Sequence, residues 1–442
     1  MTDNTFQSFG LEQSLLNALD RAGFTTPTPI QQQSIKAQLD GRDILGVAQT
    51  GTGKTAAFGL PILHHILNMQ GRPAPKSCRA LVLAPTRELA VQIEDNFKQF
   101  SGGAGLTTCL VLGGVSRAGQ IKKIGRGVDV VIATPGRLED LMNDKKIRLD
   151  EVRFVVLDEA DRMLDMGFVQ PVKRILARLH PRRQSALFSA TMPKEVRGLA
   201  ESFLTDPVKV EVTPLVSAAP KVEQRAELIT GPYKRGRLVE ILSDPEVKRT
   251  IVFARTKRGA DKVAKNLITD GIEAEVIHGN KAQNARQKAL GKFKSGFVDV
   301  LIATDIVARG IDVPGITHVI NFDLPDEAEN YVHRIGRTGR NGASGVSITL
   351  CAPDELKKLA AVEKILKRKL IEREGPDPKP KAKSSGWQGK KQGGGRAGGG
   401  GRPGGRPGGR SGGGGGGNPA GHTNQKRHRT NRKKSGGNAA SN

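Results

Sequence analysis

Cysteine is nearly missing from this chain of 442 residues. Its three copies, Cys78, Cys109 and Cys351, stand far apart without a CxxC pair. That spacing excludes a cysteine zinc site and a disulfide framework and suits a reducing compartment. Long apolar runs are also missing: none approaches the ~18 residues of a membrane span. The first residues, Met1-Thr2-Asp3-Asn4-Thr5, carry neither a basic segment nor the apolar core of a secretory leader. A cytoplasmic protein with no membrane partner is therefore expected. Aromatic side chains make up only 4% of the total, while 37% hydrophobic residues leave ample material for two or three domain cores.

Acids are in short supply as well. Forty-four Asp and Glu face 70 Lys and Arg, a net charge of +26, which points to an anionic partner and to nucleic acid first. From Pro376 onward there are 15 Lys or Arg against the single acid Asp377, so residues 376–442 hold +14 of that charge. The same stretch holds 22 of the 55 glycines and one aromatic, Trp387. It cannot bury enough apolar surface to fold alone, so a disordered, Gly/Arg-rich, RNA-binding tail is expected over 375–442. The alternative is an inert solubilising tail.

What stands out against this background is Ala48-Gln49-Thr50-Gly51-Thr52-Gly53-Lys54-Thr55. It follows the apolar run 44–47 and precedes a helical pattern over 56–67, the strand, loop and helix order of a phosphate-binding loop. Gly51 and Gly53 let backbone N–H groups turn toward anionic oxygens, and the helix N-terminus adds its positive end. Lys54 would reach the β- and γ-phosphates, and the Thr55 hydroxyl would ligate Mg²⁺. Ala48 departs from the usual pattern, which has Gly there.

Upstream, Leu11, Leu15, Leu16 and Leu19 define one face of a helix that stops at Gly23. Pro27 and Pro29 stiffen the turn before a second helix near Gln31. The amide of Gln31 either faces water as a helix-start residue or pairs with the N6/N7 edge of adenine. Downstream, the near-continuous apolar runs 80–84, 128–133, 154–157 and 185–188 alternate with helical segments, as expected for parallel strands covered on both faces. In such sheets ligands gather beyond the C-terminal strand ends. The residues there are Pro85-Thr86-Arg87, Thr134-Pro135-Gly136-Arg137, Asp158-Glu159-Ala160-Asp161 and Ser189-Ala190-Thr191.

The helical period lapses around residues 207–220, where Pro207, Pro214 and Pro220 fall. Strands then recur at 250–253, 274–277, 299–303, 318–322 and 346–350, and a final helix is expected over 354–374. The chain thus divides into a first α/β domain (1–208), a linker (209–222), a second α/β domain without its own phosphate loop (223–374) and the tail.

The carboxylates supply the chemistry. Asp158 ends an apolar strand, where an acid would hold Mg²⁺ opposite Thr55, and Glu159 would position or deprotonate an attacking water. A solvated helix start is the alternative for an isolated Asp-Glu. The second domain offers His333-Arg334-Ile335-Gly336-Arg337-Thr338-Gly339-Arg340, whose arginines would neutralise charge on a transferring phosphoryl group across a cleft. Otherwise it is a basic turn.

Taken in order, these segments resemble the DEAD-box RNA helicases of superfamily 2, and most the bacterial RhlE-type group with its basic tail. The resemblance covers roughly residues 6–370. Phe6 and residues 23–31 match the Q motif, residues 48–55 motif I, 85–90 motif Ia, Gly113-Gly114 the paired-glycine motif and 134–138 motif Ib. Asp158 to Asp161 matches motif II and Ser189 to Thr191 motif III. Residues 251–256, 303–313 and 333–340 match motifs IV, V and VI. The family's motif I commonly begins with Ala, which accounts for Ala48.

The resemblance implies two tandem RecA-like domains that close over ATP and RNA. It assigns Gln31, Phe24 and Phe6 to adenine, and Ala48 through Thr55 to phosphate and Mg²⁺, including Gln49, Thr50 and Thr52. Glu159 falls to the water, Arg337 and Arg340 to the arginine fingers, and Gly310 and Asp312 to the ribose. Ser189 and Thr191 would bond to Asp161 and couple the ATP state to strand separation, with His333 between the ATP site and motif III. Pro85, Thr86, Arg87, Gly113, Gly114, Thr134, Gly136 and Arg137 would hold RNA in the first domain, and Arg255, Arg286 and Thr304 in the second, gripping the backbone without reading sequence. Asn280 stands where the family often has Asp, and Ala254-Arg255 replaces a small or polar pair.

An RNA-stimulated ATPase that unwinds short duplexes is therefore expected, monomeric in its core with tail-mediated association. Ribosomal precursor particles or RNA-decay nucleases would be its partners. An ATP-gated RNA clamp that separates no strands is the alternative, and a DNA translocase a third.

Overall fold

In the computed structural model, residues 5–49, 51–212, 222–308, 313–339 and 343–373 are described. Fourteen strands among them form two seven-stranded sheets in which every pairing is parallel. The first contains β1 (Ile44–Val47), β2 (Cys78–Leu83), β3 (Thr108–Val111), β4 (Val128–Ala133), β5 (Phe154–Leu157), β6 (Gln184–Ser189) and β7 (Val208–Glu211). Their spatial order is β3-β4-β2-β5-β6-β1-β7. The second contains β8 (Val222–Leu228), β9 (Thr250–Phe253), β10 (Ala274–Ile277), β11 (Val300–Ala303), β12 (His318–Asn321), β13 (Gly345–Cys351) and β14 (Ile371–Arg373), in the order β10-β11-β9-β12-β13-β8-β14.

The apolar runs became the central strands because they bury both faces. Every residue of β4, β5 and β9 is buried, and separate hydrophobic clusters cover the two sides of the first sheet. Helices begin where caps allow. Thr86 Oγ1 accepts from the N–H of Leu89 (3.2 Å) to start Arg87–Ser101, and Thr256 Oγ1 accepts from the N–H of Gly259 (3.0 Å) to start Lys257–Thr269. Pro29–Leu39 opens on a capping box between Thr28 and Gln31. Because all strands of each sheet run the same way, the motif-bearing loops emerge along one edge of each sheet.

Two expectations are corrected. The final helix does not run over 354–374: Leu356–Leu366 ends at Lys367, which turns left-handed (φ 54°), and Ile371–Arg373 adds to the sheet beside β8. The connection between the domains is also shorter than 209–222. Val208–Glu211 pairs with β1, the edge left open beside the phosphate loop, and Val222 opens β8. The remainder of that linker, and the tail beyond Arg373, lie outside the described residues.

Candidate nucleotide and RNA site

The phosphate loop leaves β1 and is held from three directions. The N–H of Ala48 donates to Ser189 O (3.0 Å), tying the loop to the end of β6. Gly51 and Gly53 adopt φ of 87° and 89°, and Gly53 caps the helix Lys54–Leu67. A Cβ on Gly53 would run into Gln31 Nε2, and the left-handed φ favours glycine here. Gln31 Nε2 donates to Gly53 O (3.1 Å), Gln31 Oε1 accepts from the N–H of Thr28 (2.8 Å), and Thr28 Oγ1 donates to Thr52 O (2.8 Å). The Q-motif amide therefore buttresses the loop from beneath. Phe6 is buried against Phe9, and Phe24 packs its ring edgewise on Phe100 at 5.8 Å. Thr52 Oγ1 donates to Gln49 O (2.8 Å), closing a small turn inside the loop.

Lys54 is buried and its ammonium donates to Ala48 O (2.9 Å). Asp158 leaves β5 close by and is also buried. Burial pushes its carboxyl well above the ordinary carboxylate range, the Glu159 charge adds to this, and the Lys54 ammonium opposes it. A buried, under-compensated carboxylate beside a phosphate loop that carries a threonine hydroxyl fits a divalent cation that also binds phosphate oxygens. Glu159 sits in a left-handed turn (φ 54°) and accepts from Arg162 Nη1 at 2.7 Å, both side chains being buried.

Asp161 joins motif II to motif III. Its Oδ2 accepts from the N–H of Ala190 (3.1 Å), the N–H of Thr191 (2.9 Å) and Thr191 Oγ1 (2.9 Å). Its own N–H donates to Ser189 Oγ (3.2 Å), whose hydroxyl in turn donates to Thr191 O (2.7 Å). Thr191 thus bonds to the Asp161 carboxylate as the resemblance implied, whereas Ser189 meets the Asp161 backbone N–H and not its carboxylate.

The two domains meet at a cleft of about 320 Å³. Pro85, Thr86, Arg87, Gly113, Thr134, Gly136 and Arg137 of the first domain line it together with Arg286 of the second. Gly114 lies under the Arg87 guanidinium, where a Cβ would meet Nη1. Arg286 is buried and pairs with Glu88 (2.5 Å), and Gln283 Nε2 donates to the same carboxylate at 3.1 Å. Burial lowers the Arg286 pKa, Glu88 raises it and Arg87 lowers it. Arg255 stands apart, lining a different cleft with Thr256 and Lys262, and Thr304 is buried at the end of β11.

In motif VI, Arg337 is buried with Nε donating to His333 O (3.2 Å). Thr50, Gly310, Asp312 and Arg340 lie outside the described residues. Sequence reasoning passed over Arg334, which binds Asp305 through Nε (2.5 Å) and Nη2 (2.8 Å), Asn321 through Nη1 (3.0 Å), and the Phe253 ring at 4.9 Å. It also passed over Glu88, Gln283 and Arg162. The Arg-Gly spacing around Arg334 was visible, but nothing in it says which arginine turns inward.

Two parallel-sheet domains, with a phosphate loop in the first and an arginine motif in the second, define a two-domain nucleoside-triphosphatase. The DEAD/DEAH box helicase family matches residues 28–199, and the helicase conserved C-terminal domain matches residues 233–342. The chain is 42% identical over 366 residues to the DEAD-box ATP-dependent RNA helicase CshA of Bacillus subtilis, covering 83% of this chain and 73% of that one. It is 43% identical over 367 residues to the ATP-dependent RNA helicase dbp2 of Sclerotinia sclerotiorum, covering 82% and 64%. Among solved structures it resembles S. cerevisiae Dbp5 bound to RNA and ADP BeF3, with a TM-score of 0.73 and 31% identity over 82% of this chain and 93% of that one. It also resembles Mss116p bound to ssRNA and AMP-PNP, with a TM-score of 0.75 and 29% identity over 84% and 79%. The chain belongs to the DEAD-box ATP-dependent RNA helicases, and its two domains are RecA-like. No helix among the described residues is long and apolar enough to cross a membrane.

Proposed function

We propose that this chain hydrolyses ATP in response to RNA and uses the cycle to separate short RNA duplexes locally, as a member of the RhlE-type group. The observation that carries the reading is the shared cleft: first-domain RNA candidates and Arg286 line one cavity, while Asp161 links the ATP-side carboxylates to motif III. Domain closure then assembles both sites at once.

In this reading Lys54 leaves the Ala48 carbonyl for the phosphates, and Thr55 and Asp158 would hold Mg²⁺, which would neutralise phosphate charge. Glu159 leaves Arg162 to orient the attacking water. Arg337 and Arg340 stabilise charge on the transferring phosphoryl group, with His333 beside them. Gln31, Phe24 and Phe6 form the adenine side, and Gly310 and Asp312 the ribose contact. The basic tail adds sequence-tolerant RNA affinity, and a cytoplasmic role in ribosome assembly or RNA decay fits this low specificity.

The test measures ATP hydrolysis and strand displacement with and without RNA, for the parent and for Glu159→Gln. RNA-stimulated hydrolysis that the variant loses, together with displacement by the parent, supports the helicase. RNA-dependent ATP binding without displacement favours the clamp, and equal stimulation by DNA the translocase.

A further inference from the structure

A basic cavity of the first domain lies away from the nucleotide and RNA side. About 950 Å³ in volume, it opens at the N-terminal ends of β2, β3 and β4. The RNA candidates follow the C-terminal ends of the same strands, so the two regions are separated by roughly 20 Å of strand, six residues at about 3.3 Å each.

Two independent features define the cavity. Arg72, Lys122, Lys123 and Arg126 line it as exposed cations, and none of them forms an ion pair among the described residues. The acid in the wall, Asp129, is already taken: Arg79 Nη1 pairs with it at 3.2 Å, and the N–H and hydroxyl of Thr107 donate to it at 2.9 and 2.7 Å. The second feature is an aliphatic floor that includes Met69, Leu106 and Val128.

We propose that this cavity docks an acidic segment of a partner protein that inserts an aliphatic side chain between the cations. Four uncompensated positive charges select a negative ligand, and the floor rewards a side chain of Leu or Ile type. RNA fits less well, because single strands bind sequence-tolerantly by stacking bases on aromatic rings, and no aromatic residue lines the cavity. The chain's own tail is ruled out by its +14 charge. Because docking here leaves the opposite sheet edge open, a bound partner and RNA are held at the same time.

The experiment uses the full chain and a fluorescein-labelled synthetic peptide that alternates Glu and Leu, followed by fluorescence anisotropy at low salt. Saturable binding is expected, weakened about tenfold by Lys122→Glu/Lys123→Glu/Arg126→Glu and weaker for a peptide of Glu alone. Hydrogen exchange should slow at residues 104–108 and 122–128 when the peptide binds. Absence of saturable binding overturns the proposal, as does protection confined to residues 85–87 and 134–137. Equal loss of affinity for a single-stranded oligouridylate in the triple variant identifies the cavity as a nucleic-acid site instead. Retained RNA affinity with lost peptide binding sustains the proposal. RNA-stimulated ATP hydrolysis is read in parallel and should be unchanged in the triple variant.

Discussion

Arg286 and Glu88 belong to different domains, yet their charged groups meet at 2.5 Å inside the shared cleft, with Gln283 on the other carboxylate oxygen at 3.1 Å. Both side chains are buried. Each charge is tolerable there only because the other is present, so the pair ties domain closure to the geometry of the cleft. Parting the domains would expose both groups to water.

Arg286→Ala should therefore act on closure rather than on folding. Removing one partner of a buried pair costs about 3 kcal/mol, equivalent to roughly a hundredfold shift against the closed form. RNA-stimulated ATP hydrolysis should fall by about that factor, while ATP affinity of the first domain is retained. Glu88→Gln/Arg286→Gln, which removes both charges, should recover much of the loss. Steady-state hydrolysis titrated with RNA distinguishes these outcomes.

Gly53→Ala tests the contact between the Q motif and the phosphate loop. The residue adopts φ 89°, and the added Cβ would run into Gln31 Nε2. A left-handed conformation alone costs a non-glycine residue about 1–2 kcal/mol, and the clash adds to it. Affinity for a fluorescent ATP analogue should drop by roughly tenfold or more. Combining Gly53→Ala with Gln31→Ala removes the clash but leaves the strain and deletes the amide that braces the loop, so binding should not recover.

Much of this arrangement was legible in the residue order. The buried strands announced themselves as apolar runs, and the residues after them, such as Asp161 and Thr191, were assigned to each other and are bonded to each other. The short edge strands were harder. Thr108–Val111 and Val208–Glu211 hold four residues each, alternate in burial and carry no run long enough to stand out. The basic stretch beyond Leu366 has helical periodicity, and only the left-handed Lys367 shows that the helix ends there. Contacts between domains were illegible in principle, since Glu88 and Arg286 are each ordinary helix residues until the domains meet. Gln31 is similar: its amide suggested a base contact, and it bonds here to the Thr28 and Gly53 backbone.

The anchoring of the N-terminal helix should depend on pH. The N–H of Glu12 donates to His64 Nδ1 at 3.2 Å, which requires that nitrogen to be unprotonated. Burial lowers the His64 pKa below 6.5, the neighbouring His65 lowers it further, and Glu12 opposes both. A depressed histidine contributes stability that is full above pH 6.5 and is lost as pH falls through its folded value. The protection of amides at Glu12 and across Gln13–Arg21 against exchange, taken relative to their intrinsic rates, should thus fall between pH 7 and pH 5. His64→Gln, whose side-chain oxygen accepts the same hydrogen bond without titrating, should flatten that dependence.

The Asp161 knot yields the sharpest separation of activities. The carboxylate accepts three hydrogen bonds from the Ser189-Ala190-Thr191 turn, one from the Thr191 hydroxyl and two from backbone N–H groups. Thr191→Val keeps the shape of the side chain and both backbone bonds but deletes one bond to a charged group, worth about 1.5–3 kcal/mol. The turn stays in place, so Lys54, Asp158 and Glu159 are undisturbed and ATP hydrolysis should change little. What weakens is the link by which the carboxylate cluster feels the position of β6 and its loop. Adding Ser189→Ala removes the hydroxyl that bridges the Asp161 N–H and Thr191 O, and the loss should deepen. Strand displacement measured beside hydrolysis on the same RNA should therefore fall by about tenfold more than the ATPase rate. A parallel fall in both would mean that the knot serves the chemistry itself rather than its coupling to RNA.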